Sequence, residues 1–175
     1  MPEARMERLE CGLVPADDGW FIVNGREACW LDAGGMGRFC DFEGPGVSFA
    51  HMGFGFHVLE PGQPNGRYHG EGAQEGFLVL AGECIVIVDD EERPMKQWDY
   101  FHCPPWTEHI VVGAGDGPCV LLMAGARIGQ GVRYPVSEVA GRYGASAAHE
   151  TTVGAEAYAE VGRPAQARYR DGDLP

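Results

Sequence analysis

Short apolar runs separated by turn residues dominate the middle of the chain. Phe77–Ala81 and Cys84–Val88 flank Gly82-Glu83, and His109–Val112 and Cys119–Ala124 flank the turn Gly113–Pro118. Runs this short, rich in Val, Ile and Leu and closed by glycine or proline, predict buried β-strands. Phe49–Leu59 alternates loosely and predicts one or two more strands, and Met95–His102 leads into a proline pair. Nearer the N-terminus, Phe21–Val23 and Ala28–Leu31 lie on either side of Asn24-Gly25, a strong tight-turn dipeptide, and predict a hairpin. Gly34–Gly37, Gly44-Pro45-Gly46 and the acidic Asp89–Glu92 read as further turns. About eight strands at short spacing between Phe21 and Ala124 predict an all-β sandwich or barrel. The expected organisation is a polar N-terminal arm (1–20), the barrel (21–130) and a tail (131–175) that packs on the barrel or on a partner subunit. Within the tail, Val136–Tyr143 follows Pro135, has Ser137 as N-cap and meets Gly144 as a stop, which predicts a short helix. Ala155–Val161 predicts a second.

Composition narrows the function classes. A chain of 175 residues fits one domain and can bury a core without disulfides. Its 27 glycines and 12 prolines, spread among apolar runs, agree with a turn-rich β-domain. The formal charge of −13, with Lys96 the only lysine, repels phosphate backbones and anionic lipid heads, so neither nucleic acid nor a membrane surface is an expected partner. The cysteines, Cys11, Cys29, Cys40, Cys84, Cys103 and Cys119, form no C-x-x-C pair. Met1–Glu10 is charged throughout, and no apolar run reaches the roughly 18 residues that span a bilayer. A cytoplasmic protein with reduced thiols is the expectation.

The candidate chemistry lies in Pro61–Glu83, PGQPNGRYHGEGAQEGFLVLAGE. His69, Glu71 and Glu75 share one parity with Phe77 and Val79, so in extended backbone they share a face, with Gly72 free to bend the segment. Polar ligands floored by apolar residues suit a metal or small-ligand pocket. The plainer alternative is a solvated loop, but a carboxylate abutting an apolar strand, as Glu75 does, needs a partner to offset its desolvation. His109, in PPWTEH, is a fourth candidate, against the alternative of a hydrogen-bonded histidine at a strand entrance. Gln74 is a candidate amide for orienting a ligand, Phe77 a pocket floor, and His102 a side chain aimed into the same cavity. Trp106 lies either on the pocket rim or over a strand edge. His51, His57 and His149 have no second ligand at metal spacing, and His57 is the weaker pocket candidate.

These residues carry a resemblance to the cupin superfamily. Pro61–Glu83 is similar to its first motif, G-x5-H-x-H-x3-4-E-x6-G, with Gly62, His69 after one extra residue, Glu75 and Gly82 in place and Glu71 at the second histidine. Trp98–Gly113 is similar to its second, G-x5-P-x-G-x2-H-x3-N, with Pro104 and His109 matched and Trp98, Trp106 and Gly113 standing for its glycines and asparagine. The resemblance covers Phe54–Ala124. It implies a double-stranded β-helix (jelly-roll) barrel, often a homodimer, holding one divalent transition metal: Fe, Mn, Ni or Zn. The implied ligands are His69, Glu71, Glu75 and His109, or His69, Glu75 and His109 if Glu71 turns away. The expected function is that of a metal-dependent oxygenase, isomerase or lyase acting on a small organic molecule. A non-catalytic small-molecule binder and a metal-free structural barrel are the rivals.

Overall fold

Backbone pairing in the computed structural model, which describes residues 1–128 and 131–175, organises the chain as a double-stranded β-helix. The strands are β1 (Met6–Arg8), β2 (Leu13–Pro15), β3 (Trp30–Asp32), β4 (Arg38–Cys40), β5 (Met52–Leu59), β6 (Gly70–Glu71), β7 (Glu75–Ala81), β8 (Glu83–Val88), β9 (Glu91–Lys96), β10 (Tyr100–Cys103), β11 (His109–Ala114), β12 (Cys119–Ala126), β13 (Val132–Arg133) and β14 (Ala165–Ala167). A seven-stranded sheet runs β10-β7-β12-β5-β4-β3-β14 and faces a three-stranded sheet, β11-β8-β9. The β13-β6 pair lies beside β11 through a bridge between His69 and His109.

Period-two alternation places the core. Phe77 and Val79 of β7, Leu121 of β12 and Leu59 of β5 meet Cys84, Val86 and Val111 of the smaller sheet inside the barrel. The outer face of the smaller sheet is covered by Tyr68, Ala140 and Ala145. Trp30, packed with Cys40, Val58 and Val120, covers part of the larger sheet. Gly82 makes the β7–β8 turn at φ +73°, and a Cβ there would lie 2.4 Å from the Pro118 carbonyl oxygen, so both conformation and space require glycine.

Several expectations are corrected. The hairpin across Asn24-Gly25 does not form. The Asn24 side chain instead accepts from the Arg26 amide, its carbonyl accepts from Glu27 and Ala28, and Ala28 bridges in parallel to Leu13. Phe21–Val23 is therefore unpaired, and β3 joins β4 and β14. The expected helices are single turns, α1 (Glu138–Gly141) and α2 (Gly154–Ala157), and β13 and β14 make the tail as much strand as helix. The cap reading is met: Ser137 Oγ accepts from the Ala140 amide, and Gly144 ends the turn at φ +68°. The expected barrel–tail boundary at 130 and 131 falls partly outside the described residues.

The reading of six reduced thiols is also corrected. Cys11 and Cys29 form a disulfide, with Cα atoms 4.7 Å apart, that ties the N-terminal arm to the approach to β3, while Cys40, Cys84, Cys103 and Cys119 are free and buried. Parallel bridging of Leu13 to Ala28 brings these two cysteines together, a long-range event with no C-x-x-C signature. Among the described residues, no helix is long and apolar enough to cross a membrane.

Candidate metal centre

Three side chains converge at one end of the barrel. His69 and His109 face each other across two backbone hydrogen bonds, 3.1 Å from the His69 amide and 2.8 Å from the His109 amide, which set their rings 4.9 Å apart. Glu75, the first residue of β7, supplies the third group. Its Oε2 lies 3.2 Å from His109 Nε2 and 3.8 Å from His69 Nε2. One ligand atom from each residue falls within 4.8 Å of the other two.

The second ring nitrogens show which way the imidazoles point. His69 Nδ1 lies 2.8 Å from the Arg67 carbonyl, and His109 Nδ1 lies 3.1 Å from the Thr107 carbonyl. A carbonyl only accepts, so each Nδ1 carries a proton and each ring turns its Nε2 toward Glu75, where that nitrogen offers a lone pair once it is free of a proton. Buried Oε2 of Glu75 makes no hydrogen bond. Two lone pairs and an unpartnered carboxylate oxygen meeting in one place demand a positive charge. Ligands about 2 Å from a common ion stand about 3 to 3.5 Å apart, so a divalent ion fits this donor set.

The proton affinities express the same demand. Burial works against a charge on His109, yet the Cys103 sulfur and the Glu75 carboxylate push it up to about 10. Burial and then the neighbouring His109 hold His69 below the ordinary histidine value. Burial alone would raise Glu75, but His109 and His69 together hold it below the usual carboxylate range. Without a metal the cluster favours a proton, and a metal ion must displace it.

The other expected site residues separate. Glu71 lines the cavity beside the cluster, but its carboxylate is not among the converging atoms. Its backbone is committed to Val132 of β13 and to the Trp106 amide, and burial, then the Glu75 charge, push its proton affinity up. Of the two expected ligand sets, the three-residue set His69, Glu75 and His109 is the one whose ligand atoms converge. Phe77 lies buried under the cluster, edge-on to His109 at 5.3 Å. His102 is corrected by register. Cys103 stands opposite Glu75 and His102 opposite Gly76, so Cys103 shares the inner face and His102 is exposed. Gln74, adjacent to Glu75 in sequence, is likewise exposed, and only its carbonyl is engaged, by the Ala126 amide. Trp106 is 48% exposed and packs against Gly131 at the cavity edge. Trp106 and Trp98 adopt φ +68° and +74°, the left-handed backbone of the glycines they replace.

Two contributors escaped the sequence reading: Cys103 Sγ sits 3.3 Å from His109 Nδ1, and Tyr134 packs 6.0 Å from the His69 ring. His57, the weaker pocket candidate, does line the cavity. Strand parity relative to Glu75 would have found Cys103 once its pairing with β7 was known. The cavity itself holds about 930 Å³ and lies between the concave face of β4, β5, β7 and β12 and tail residues 155–164.

Comparison with known proteins agrees with the fold. Residues 55–125 match the cupin domain model. No curated protein matches the chain. Among solved structures, an RmlC-like cupin from Shewanella frigidimarina is 18% identical, with 62% of this chain and 91% of that one covered and a TM-score of 0.53. A sugar phosphate isomerase of the cupin superfamily from Silicibacter pomeroyi is 23% identical over 57% of this chain and 65% of that one, with a TM-score of 0.49. A proposed sugar phosphate isomerase from Acidithiobacillus ferrooxidans is 25% identical over 47% and 54%, with a TM-score of 0.44. The match thus spans less than two thirds of either isomerase. The family match, together with the motifs and the double-stranded β-helix, identifies residues 55–125 as a cupin domain.

Proposed function

We propose that the protein binds one divalent transition metal through His69, Glu75 and His109 and is an enzyme acting on a small organic molecule in the adjoining cavity. The observation that carries this reading is the convergence of the buried Oε2 of Glu75 with the Nε2 atoms of His69 and His109, at 3.8 and 3.2 Å. A two-histidine, one-carboxylate set suits Fe(II), Mn(II), Ni(II) or Zn(II) and leaves coordination positions open to substrate. The metal would supply Lewis acidity or a site for dioxygen. The remaining work falls to the chain. Arg67 and Thr107 carbonyls fix the imidazole tautomers, Phe77 buttresses His109, and tail residues 155–164 restrict solvent over the cavity. Glu71, facing the cavity from outside the ligand set, is the group placed to hold or accept a proton.

Protein purified without added metal is expected to carry about one metal equivalent per chain. A metal-free preparation that also fails to take up Fe(II), Mn(II), Ni(II) or Zn(II) sinks the reading. Turnover separates an enzyme from a binder. If oxygen-uptake and isomerisation screens of the metal-loaded protein stay flat while small molecules still bind, the non-catalytic binder is the better account. A homodimer and a cytoplasmic location remain part of this proposal. The Cys11–Cys29 bond weighs against the second, because disulfides are rare in that compartment.

A further inference from the structure

His57 is a buried titratable side chain that the metal cluster does not use. It is 6% exposed, lines the cavity and packs on Phe39 with ring centroids 5.4 Å apart. Its Nε2 lies 3.0 Å from the Met36 carbonyl, so that nitrogen carries the proton and donates. Nδ1 is then a lone-pair acceptor, with no hydrogen-bond partner among the described residues. A satisfied core histidine would use both nitrogens.

Register locates it. Glu75 pairs with Gly125, Gly125 with Gly53, and His57 follows Gly53 by four residues on β5. At about 3.3 Å per residue, His57 stands about 13 Å along the barrel from the cluster. The inward positions between them on β5 and β12 are Gly53, Gly55, Met123 and Gly125, small or flexible side chains that leave room. The walls add Met36, Phe39 and Phe56. The charged lining residues are Asp41, Glu71, Glu75, Arg127 and Arg163. Arg127 is already paired with Glu43 at 2.8 Å, so outside the ligand set the carboxylates Asp41 and Glu71 outnumber the remaining cation Arg163, and a phosphate or carboxylate group away from the cluster meets more negative charge than free positive charge.

We propose that the cavity takes an uncharged, largely apolar aromatic molecule whose hydroxyl donates to His57 Nδ1, its body lying over the glycine-lined floor toward the cluster. The inference rests on the metal reading only in taking the cluster as the reacting end. A site that receives a hydroxyl disfavours the analogue that lacks it, because the acceptor then faces an apolar surface in place of a donor.

The probes are 2-naphthol, naphthalene and 2-naphthyl phosphate, titrated calorimetrically against the protein as purified. Naphthol is expected to bind about tenfold or more tighter than either analogue. His57→Leu should weaken naphthol by about tenfold while leaving naphthalene unchanged, and His57→Gln, which keeps an acceptor, should retain most of the naphthol affinity. Metal content, measured on both variants, should match the wild type and shows that the barrel is intact; if the leucine variant does not fold, the wild-type comparison of naphthol with naphthalene and the phosphate ester carries the test. Equal or tighter binding of the phosphate ester, naphthol affinity indifferent to His57→Leu, or no naphthol binding overturns the proposal. None of these outcomes alters metal content, so this failure and failure of the metal reading are told apart.

Discussion

Nε2 of His109 lies 3.2 Å from Oε2 of Glu75, and that buried oxygen has no hydrogen bond. A carboxylate left in this state is costly unless a cation shares its space. The pair therefore defines a demand that the proposed metal ion would meet, with His69 completing the donor set.

Removing the charge of Glu75 should remove the metal. Glu75→Gln is expected to lose at least about 100-fold in metal affinity, whereas Glu71→Gln, whose carboxylate stands outside the converging atoms, should lose no more than about tenfold. Metal titration with a competing chelator measures both. Loss in Glu71→Gln equal to that in Glu75→Gln would make Glu71 a ligand after all. Because a metal ion must displace the proton that the cluster favours, binding should also release protons and tighten as pH rises.

Acid should destabilise the protein through His57. Burial, opposed weakly by the Met36 carbonyl, pushes its proton affinity down from 6.5 to about 4. The unfolded chain then binds a proton that the folded chain refuses. The stability this group contributes is complete above pH 6.5 and falls as pH drops toward 4, by up to about 3 kcal/mol. Chemical denaturation between pH 4 and 7 should show that slope in the wild type and a shallower one in His57→Gln. Parallel profiles would contradict the assignment.

Trp98 offers a clean stabilising change. It is 68% exposed at φ +74°, so it contributes little burial while occupying a backbone region that costs an L-residue about 1 kcal/mol. Trp98→Gly should raise the melting temperature, by up to about 1 kcal/mol of stability less the entropy of the added glycine. Trp106→Gly should gain less, because Trp106 also covers Gly131. A fall in melting temperature for Trp98→Gly would show that the exposed indole makes stabilising contacts.

The disulfide predicts a thiol count. Denatured, unreduced protein should show four reactive thiols, Cys40, Cys84, Cys103 and Cys119, and six after reduction. Closing a loop with a sequence separation of 18, the bond should contribute about 3 kcal/mol, so reductant should lower the melting temperature. Six thiols without reduction would show that the bond does not form.

Much of the barrel was legible because strand identity is a local property. The apolar runs Phe77–Ala81 and Cys84–Val88 became β7 and β8, extended by one or two residues at their N-terminal ends, and Gly82 marked a turn that its backbone conformation requires. The hairpin at Asn24-Gly25 failed for the opposite reason. Its turn signal was sound, but Ala28 pairs with Leu13, distant in sequence, and not with the Phe21–Val23 segment.

The sequence by itself determined which residues alternate, where glycine must stand, and that His69, Glu71, Glu75 and His109 are candidate ligands near strand ends. Only the tertiary structure decided which of them meet. His69 and His109 are forty residues apart and touch through a cross-strand bridge. Register against β7 turned Cys103 inward and His102 outward. Glu71 faces the cavity but stays outside the cluster, and His57 lines the far end of the same space. Side-chain alternation is written in each residue's own backbone, whereas register and strand neighbours follow from burial across the whole barrel, which no short segment encodes.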